Sequence, residues 1–244
     1  MIGYLRDIEK SFPIKDIGKR RQRVLKGISF DIKKGEVLGL VGLNGQGKST
    51  TIKIMLGLLR PDRGDIKIQG HKPGEIDTLR HIAYLPENPW FFDNLNAKEF
   101  LYFIAKLRQI DKKRLKQEVE EMIKRVGLSG NEKKVIRKYS KGMVQRLGLA
   151  QAFLGDADFI ILDEPLSGLD PEGRKMAKDL IKGHKKKQKT VFFTSHILED
   201  IEQMADRVLI MNRGRIIKEV HRADLYNKTL EQVFIETIEH DRNN

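Results

Sequence analysis

Residues 37–51 read VLGLVGLNGQGKSTT, and the fold turns on them. Val37 to Val41 form an unbroken apolar run, the pattern of a strand buried on both faces of a parallel sheet. Gly42 to Ser49 then satisfy the pattern G-x-x-x-x-G-K-[S/T]. Its glycines let backbone N–H groups turn inward to cradle phosphate oxygens. A helix over TTIKIMLGLL is expected to aim its positive end at the same anion. In this setting Lys48 reaches the β- and γ-phosphates and the Ser49 hydroxyl ligates Mg²⁺. A glycine-rich turn alone would be a weak signal. A strand pattern before it and a helix pattern after it are the context the chemistry requires.

Outward from this loop, apolar strands recur. GISFDI alternates Ile28, Phe30 and Ile32, as a half-buried strand does. IKIQ (66–69) and IAYL (82–85) follow, and FIIL (159–162), TVFFT (190–194), RVLIM and RIIKE come later. The segment between is helical. Asn96 and Glu99 form a capping pair, with Leu95 placed to pack on Phe100. Two apolar stripes are expected to build core. One is Phe100, Phe103, Ile104 and Leu107; the other is Leu115, Val119, Met122, Ile123 and Val126, stopped by Gly127. SKGMVQRLGLAQAF reads as an amphipathic helix, Asp170-Pro171 opens another, and Ser195 is expected to cap a third. Strands alternating with helices around a helical insert predict an α/β fold: a mostly parallel sheet with an all-α arm.

FIILDE ends in Asp163-Glu164 at the carboxyl end of a strand, where open α/β sheets bind ligands. Asp163 is placed to hold Mg²⁺ through water, and Glu164 to polarise the attacking water as general base. Without the phosphate loop, an Asp-Glu pair there would read as a turn. His196 follows the next apolar strand at a helix start: alone it would read as a capping or surface residue, and beside a strand ending in Asp-Glu it is expected to hydrogen-bond the γ-phosphate and orient the water.

Composition narrows the classes. The 244 residues suffice for one α/β domain with a small subdomain. No apolar run approaches the roughly 18 residues of a membrane span. The N-terminal stretch lacks the apolar core of a signal peptide. Cysteine is absent, which excludes thiolate catalysis and fits a cytosolic setting. The net charge of +13 is concentrated: residues 98–146 carry 15 Lys/Arg against 6 Asp/Glu, and KGHKKKQK (182–189) adds five more cations. Such an excess suits anionic lipid or nucleic acid, or simply a solvated surface.

Together these motifs resemble the nucleotide-binding subunit of an ABC transporter, over roughly residues 1–220 and in the family's order. Asn44, Gly45, Gln46, Gly47, Lys48, Ser49 and Thr50 stand as its phosphate loop, YLPENP (84–89) as its Q-loop and YSKGM (139–143) as its signature. FIILDE is similar to its Walker B strand, SGLD (167–170) to its D-loop, His196 to its switch histidine, and Phe12 to the aromatic that stacks on adenine. The resemblance implies a P-loop NTPase fold with a RecA-like core, an N-terminal antiparallel β-subdomain and an inserted all-α subdomain. The divisions would be 1–86 and 156–220 for the core with its β-subdomain, 90–152 for the helical part and 221–244 for a tail. It implies ATP and Mg²⁺ as ligands. It implies a dimer in which Ser140 and Gly142 of one subunit close over ATP held by the other. It further implies a separate transmembrane permease as partner and a peripheral place on the cytoplasmic membrane surface. Trp90, Phe91 and Phe92 stand where the family docks that partner, or else pack under the helical arm.

Three positions depart from the family pattern. Glu87 replaces the Q-loop glutamine, Lys141 the first signature glycine and Met143 the signature glutamine. The variants are similar to those of the ABC-2 type branch and lean towards export. Glu87 either ligates Mg²⁺ or caps the turn after Pro86. Lys141 either faces the phosphate in trans or faces solvent. The basic insert PIKDIGKRRQRV lies near the nucleotide or near nothing. A nucleic-acid- or ribosome-associated ABC ATPase is the competing class. Such relatives carry paired nucleotide domains or long appendages, and neither is visible, so nucleic acid is an unexpected partner.

Overall fold

The computed structural model describes residues 1–14, 21–226 and 228–243. Residues 15–20 of the basic insert fall outside them, and Arg21 to Val24 open β2. Two sheets form the frame. Strands β1 (Gly3–Pro13), β2 (Arg21–Ile32) and β4 (Arg63–Ile68) make an antiparallel sheet in the order β2-β1-β4. Strands β3 (Val37–Val41), β5 (Ile82–Leu85), β6 (Phe159–Asp163), β7 (Thr190–Ser195), β8 (Arg207–Asn212) and β9 (Arg215–His221) make the second. Its order is β5-β6-β7-β3-β8-β9, parallel except where β9 turns back on β8.

The apolar runs split by alternation between two cores, as side chains of period two must. Val37, Val41, Leu85, Ile160, Leu162, Val191 and Phe193 face one core, which the helices α3 (Ala97–Leu107), α4 (Lys112–Arg125), α5 (Lys141–Phe153), α6 (Pro171–Lys186) and α7 (Leu198–Met204) cover. Leu38, Leu40, Phe159, Ile161, Phe192 and Leu209 face the other, shared with the antiparallel sheet and α1 (Lys48–Met55). A short α2 (Ile76–Arg80) precedes β5, and the tail forms α8 (Leu230–Asn243). The architecture is the expected α/β one, a mostly parallel sheet with an added antiparallel sheet.

The capping pair closes as expected: Asn96 Oδ1 accepts from the Glu99 N–H and Glu99 accepts from the Asn96 N–H, each at 2.9 Å. The α4 stripe is buried throughout, and Gly127 ends that helix at φ 69°. Four expectations need correction. In α3 only Phe100 of the stripe is buried. Phe103 and Leu107 are exposed, and the core face is Ala97, Leu101 and Ala105 instead. Helix α5 is not amphipathic: Gln145 and Leu147 to Ala150 are all buried, because the helix lies between α3, α4, α6 and β5. Helix α1 stops at Met55, short of the expected TTIKIMLGLL. Ser195 ends β7 rather than capping α7; its Oγ accepts from the Ile197 N–H at 3.0 Å, and Ile197 holds the cap position.

Candidate functional site

The parallel register brings the carboxyl ends of four strands to one edge. Val41 lies beside Ser195, Asp163 beside Thr194 and Leu85 beside Leu162. From that edge the loop Gly42–Gly47 runs into α1. Backbone packs so closely that a Cβ at Gly42 would lie 2.5 Å from the Met211 carbonyl oxygen. At Gly47, with φ 112°, a Cβ would meet Leu25 at 2.6 Å. No side chain caps α1, so the first-turn amides keep their donor capacity. Lys48 curls back and donates to Gly42 O at 2.6 Å and Leu43 O at 3.4 Å, so its ammonium sits inside the loop. Burial lowers its pKa. The negative charges of Glu164, Asp163 and Glu87 oppose that shift, which puts all three carboxylates in its electrostatic neighbourhood.

Glu164 is the most constrained of them. It is buried and holds φ 50°, a left-handed conformation uncommon for a residue with a side chain. Its Oε2 lies 2.9 Å from His196 Nδ1. Its Oε1 is 3.9 Å from Lys48 Nζ and has no hydrogen-bond partner. A buried carboxylate oxygen without a donor is costly, so it marks where a donor from outside the protein fits. Thr194 ties the acid pair together: its hydroxyl donates to Asp163 Oδ1 at 2.6 Å and accepts from the Glu164 N–H at 3.1 Å. Neighbouring Tyr84 has its phenol pushed up to about 12, by burial first and then by Asp163 and Glu87.

Lys48, Asp163, Glu164 and His196 therefore converge, with Ser49 and Thr50 on the first turn of α1 and Asn44, Gly45 and Gln46 in the loop before it. The Gln46 side chain is engaged, accepting from the Arg213 N–H, so this residue offers its backbone. Glu87 is exposed just past β5. Among the described residues no three His, Asp or Glu side chains cluster as a metal cage. Phe12 lies on β1 two residues beyond Lys10, whose pairing partner Leu25 abuts Gly47. The Lys10 ammonium stands 5.8 Å from its ring.

Ser140 and Gly142 lie apart from this group, at the exposed mouth of α5. Ser140 caps the helix by accepting from the Met143 N–H at 3.3 Å. Gly142 nestles against the loop after β6, where an added Cβ would meet Gly168 O at 3.2 Å. The stem of Lys141 lies over Gly168. Two contacts that sequence spacing does not encode join α5 to the acid pair and to the start of α6. Buried Gln145 donates to Pro165 O at 3.0 Å and Glu164 O at 3.4 Å. Arg146 donates to Asp170 Oδ1 at 2.8 Å, and Asp170 caps α6 through the Gly173 N–H at 2.9 Å. The Gly173 N–H and Arg146 hold the Asp170 carboxyl below its usual range. A glutamine amid the buried residues of α5 was the available signal.

The aromatic run after β5 divides. Phe91 is buried edge-on against Phe100, with centroids 4.9 Å apart. Trp90 is 81% exposed and touches Phe92, which touches Phe103, so three rings form an outward patch on the helical arm.

Residues 25–167 match the family model described as ABC transporter. The chain belongs to the ABC transporter family, a family of P-loop ATPases. It is 45% identical over 195 residues to an uncharacterised ABC transporter ATP-binding protein of Synechocystis, covering 79% of this chain and 55% of that one. It is 40% identical to the bacitracin transport ATP-binding protein BcrA of Bacillus licheniformis, over 82% of this chain and 65% of the relative. With the SkfA peptide export ATP-binding protein SkfE of Bacillus subtilis it shares 35% identity, over 80% of this chain and 81% of that protein. The chain thus spans 55% of the first of these relatives and 65% of the second. A solved ATP-binding subunit of an ABC transporter superposes with a TM-score of 0.87 at 28% identity, over 98% of this chain and 100% of the other. A second structure, a dimeric post-hydrolysis ATP-binding cassette with ADP and phosphate, shares the fold at a TM-score of 0.81 and 21% identity, over 90% of this chain and 98% of that one.

Proposed function

We propose that the chain binds and hydrolyses ATP as the motor subunit of a membrane exporter, working as a dimer against a separate transmembrane permease. The observation that carries the hydrolytic part is the buried Glu164 Oε1, without a donor and 3.9 Å from Lys48. A water bound there would donate to Glu164, which takes its proton as the water attacks the γ-phosphorus and the bond from that phosphorus to the β–γ bridging oxygen breaks, leaving ADP and phosphate. His196 holds the other carboxylate oxygen and so fixes which oxygen faces the water. Lys48 leaves its carbonyl partners for the β- and γ-phosphates, and the loop amides with the first turn of α1 bind their oxygens. Ser49 and Asp163 are the residues to hold Mg²⁺, with Glu87 at its periphery; when bound, the ion neutralises phosphate charge. Phe12 offers its face to the adenine.

The dimer follows from what the site lacks in one chain. Ser140 stands exposed at a helix start beside half-buried Gly142, and neither has a bond to the phosphate loop of its own chain among the described residues. A second copy facing head to tail would bring them to its neighbour's γ-phosphate. The patch of Trp90, Phe92 and Phe103 is the surface offered to the permease, since exposed aromatics anchor interfaces. Among the described residues no helix is long and apolar enough to cross a membrane. A place on the cytoplasmic membrane surface would come from that partner, aided by the cations of residues 98–146. Export accords with the peptide-export and bacitracin-transport names of two relatives.

Affinity purification of tagged Glu164→Gln from membranes solubilised with ATP tests the reading. Co-purification of a polytopic membrane protein at near one-to-one ratio is expected, and Trp90→Ala should weaken it. Recovery of ribosomes or nucleic acid with no membrane protein would overturn the transport assignment.

A further inference from the structure

At the amino end of the parallel sheet, opposite the phosphate loop, lies a cavity of about 710 Å³. Its walls come from two layers. The helical arm supplies residues from Arg108 to Arg125, and the core supplies Arg80, Ile82, the turn after α5, and Lys187 with Lys189. The volume is that of a small-molecule site.

The charges in it are unequally served. Each acid on the wall is engaged within the protein. Glu118 pairs with Arg114 at 2.9 Å and Asp156 with Lys189 at 3.3 Å. Glu121 accepts from the Gln117 amide at 2.8 Å, and Asp111 caps α4 through the Lys113 N–H at 2.7 Å. Three cations on the wall have no carboxylate within ion-pair distance among the described residues: Arg108, Arg125 and Lys187. Arg108 is the most telling. One of its terminal nitrogens donates to the Ala152 and Leu154 carbonyls at the end of α5, and its other nitrogens make no bond among the described residues. Burial alone pulls its pKa down to about 10. A partly desolvated guanidinium without a counter-charge is unfavourable, and its planar donor fork matches phosphate oxygens.

We propose that this cavity binds a compact phosphate-bearing small molecule, which Arg108 and Arg125 grip from the helical arm and Lys187 from the core. Such a ligand spans the two layers at the end of α5 opposite its exposed mouth, so it would tie the helical arm to the core. The proposal stands independently of how the phosphate loop is used.

Calorimetric titration with inorganic pyrophosphate tests it on the full chain carrying Lys48→Ala, which disables the phosphate loop as a competing site. Saturable binding is expected to remain in that background. It should weaken tenfold or more on adding Arg125→Gln, and again on adding Lys187→Gln; neither substitution disturbs a bond within the fold, whereas Arg108→Gln also removes contacts to α5. Loss of all binding with Lys48→Ala alone would overturn the proposal, because the phosphate loop would then be the only receptor. Binding that ignores both Arg125→Gln and Lys187→Gln would overturn it equally. Equal affinity for citrate would refute the preference for phosphate.

Discussion

The Gln145 side-chain amide donates to the Pro165 carbonyl oxygen at 3.0 Å, from inside a helix that begins at Ser140. The bond holds the peptide just past Glu164, whose backbone sits at φ 50°. The same amide reaches Glu164 O at 3.4 Å, so one buried group steadies both carbonyls of the turn that aims the carboxylate. It also ties α5, five residues past its N-cap, to the backbone of the acid pair.

Gln145→Leu keeps the volume and removes the donor. Leaving buried carbonyls unpaired costs about 1–3 kcal/mol, so the melting temperature should drop by several degrees. The turnover number for ATP should fall about tenfold or more, as expected when a base is displaced. The KM for ATP should stay within about twofold, because the phosphate loop is untouched. A parallel loss in KM would instead assign Gln145 a general structural role.

Glu164→Gln preserves shape and removes the proton acceptor. ATP binding should persist while hydrolysis falls by about 10²–10⁴-fold, the usual contribution of a positioned base. The change removes a buried charge whose Oε1 has no donor, but it also takes from buried Lys48 a negative charge 3.9 Å away, so the melting temperature should change little. Near-native turnover in single-turnover kinetics would remove Glu164 from the role of base.

His184 gives a pH dependence unrelated to the nucleotide. It is buried on α6, edge-on to Phe153, and its pKa is lowered to about 4 by burial first and then by Lys189 and Lys187, with Asp156 opposing. A histidine with a depressed folded pKa leaves the unfolded chain binding more protons between its two pKa values. Its contribution is therefore complete above about pH 6.5 and is lost as pH falls toward about 4, amounting to roughly 3 kcal/mol. Denaturant midpoints measured from pH 7 to pH 4 should fall more steeply for the native chain than for His184→Phe. Identical slopes would show that the ring is not held neutral.

Where the sequence was legible, one physical signal was strong and local. The buried strands read directly because both of their faces are covered, and the phosphate loop because its glycines answer to backbone crowding at Gly42 and to the left-handed φ of Gly47 against Leu25. The α4 stripe read correctly for the same reason. The α3 stripe failed because helical period alone does not say which arc meets the core: Phe103 and Leu107 share an arc with Phe100 but extend past its edge. The face of α5 was misread because a helix packed on several sides has no polar arc to display. Gln145 and Thr194 escaped notice because their role depends on pairs 20 and 31 residues apart in the chain, which spacing does not encode. The direction of Lys141, along Gly168, likewise depends on where the loop after β6 arrives.

Ser140→Arg tests whether two chains share each site. Ser140 is exposed, and among the described residues the one bond of its side chain is the cap to Met143, so its loss costs about 1 kcal/mol and the fold should survive. ATP affinity should be near native, because Lys48 and the loop before it are intact. Turnover should nevertheless fall at least about tenfold, since a bulky side chain at the helix mouth keeps the neighbour's γ-phosphate out of reach of the Gly142 N–H. Mixing with Lys48→Ala sharpens the outcome. Each parent dimer has two defective sites, but a mixed dimer joins the intact loop of one chain to the intact helix mouth of the other. One sound site per mixed dimer should restore measurable hydrolysis if a single site can turn over. Full activity of Ser140→Arg alone would refute the shared site, because no arrangement that needs Ser140 at a neighbour's phosphate tolerates an arginine there.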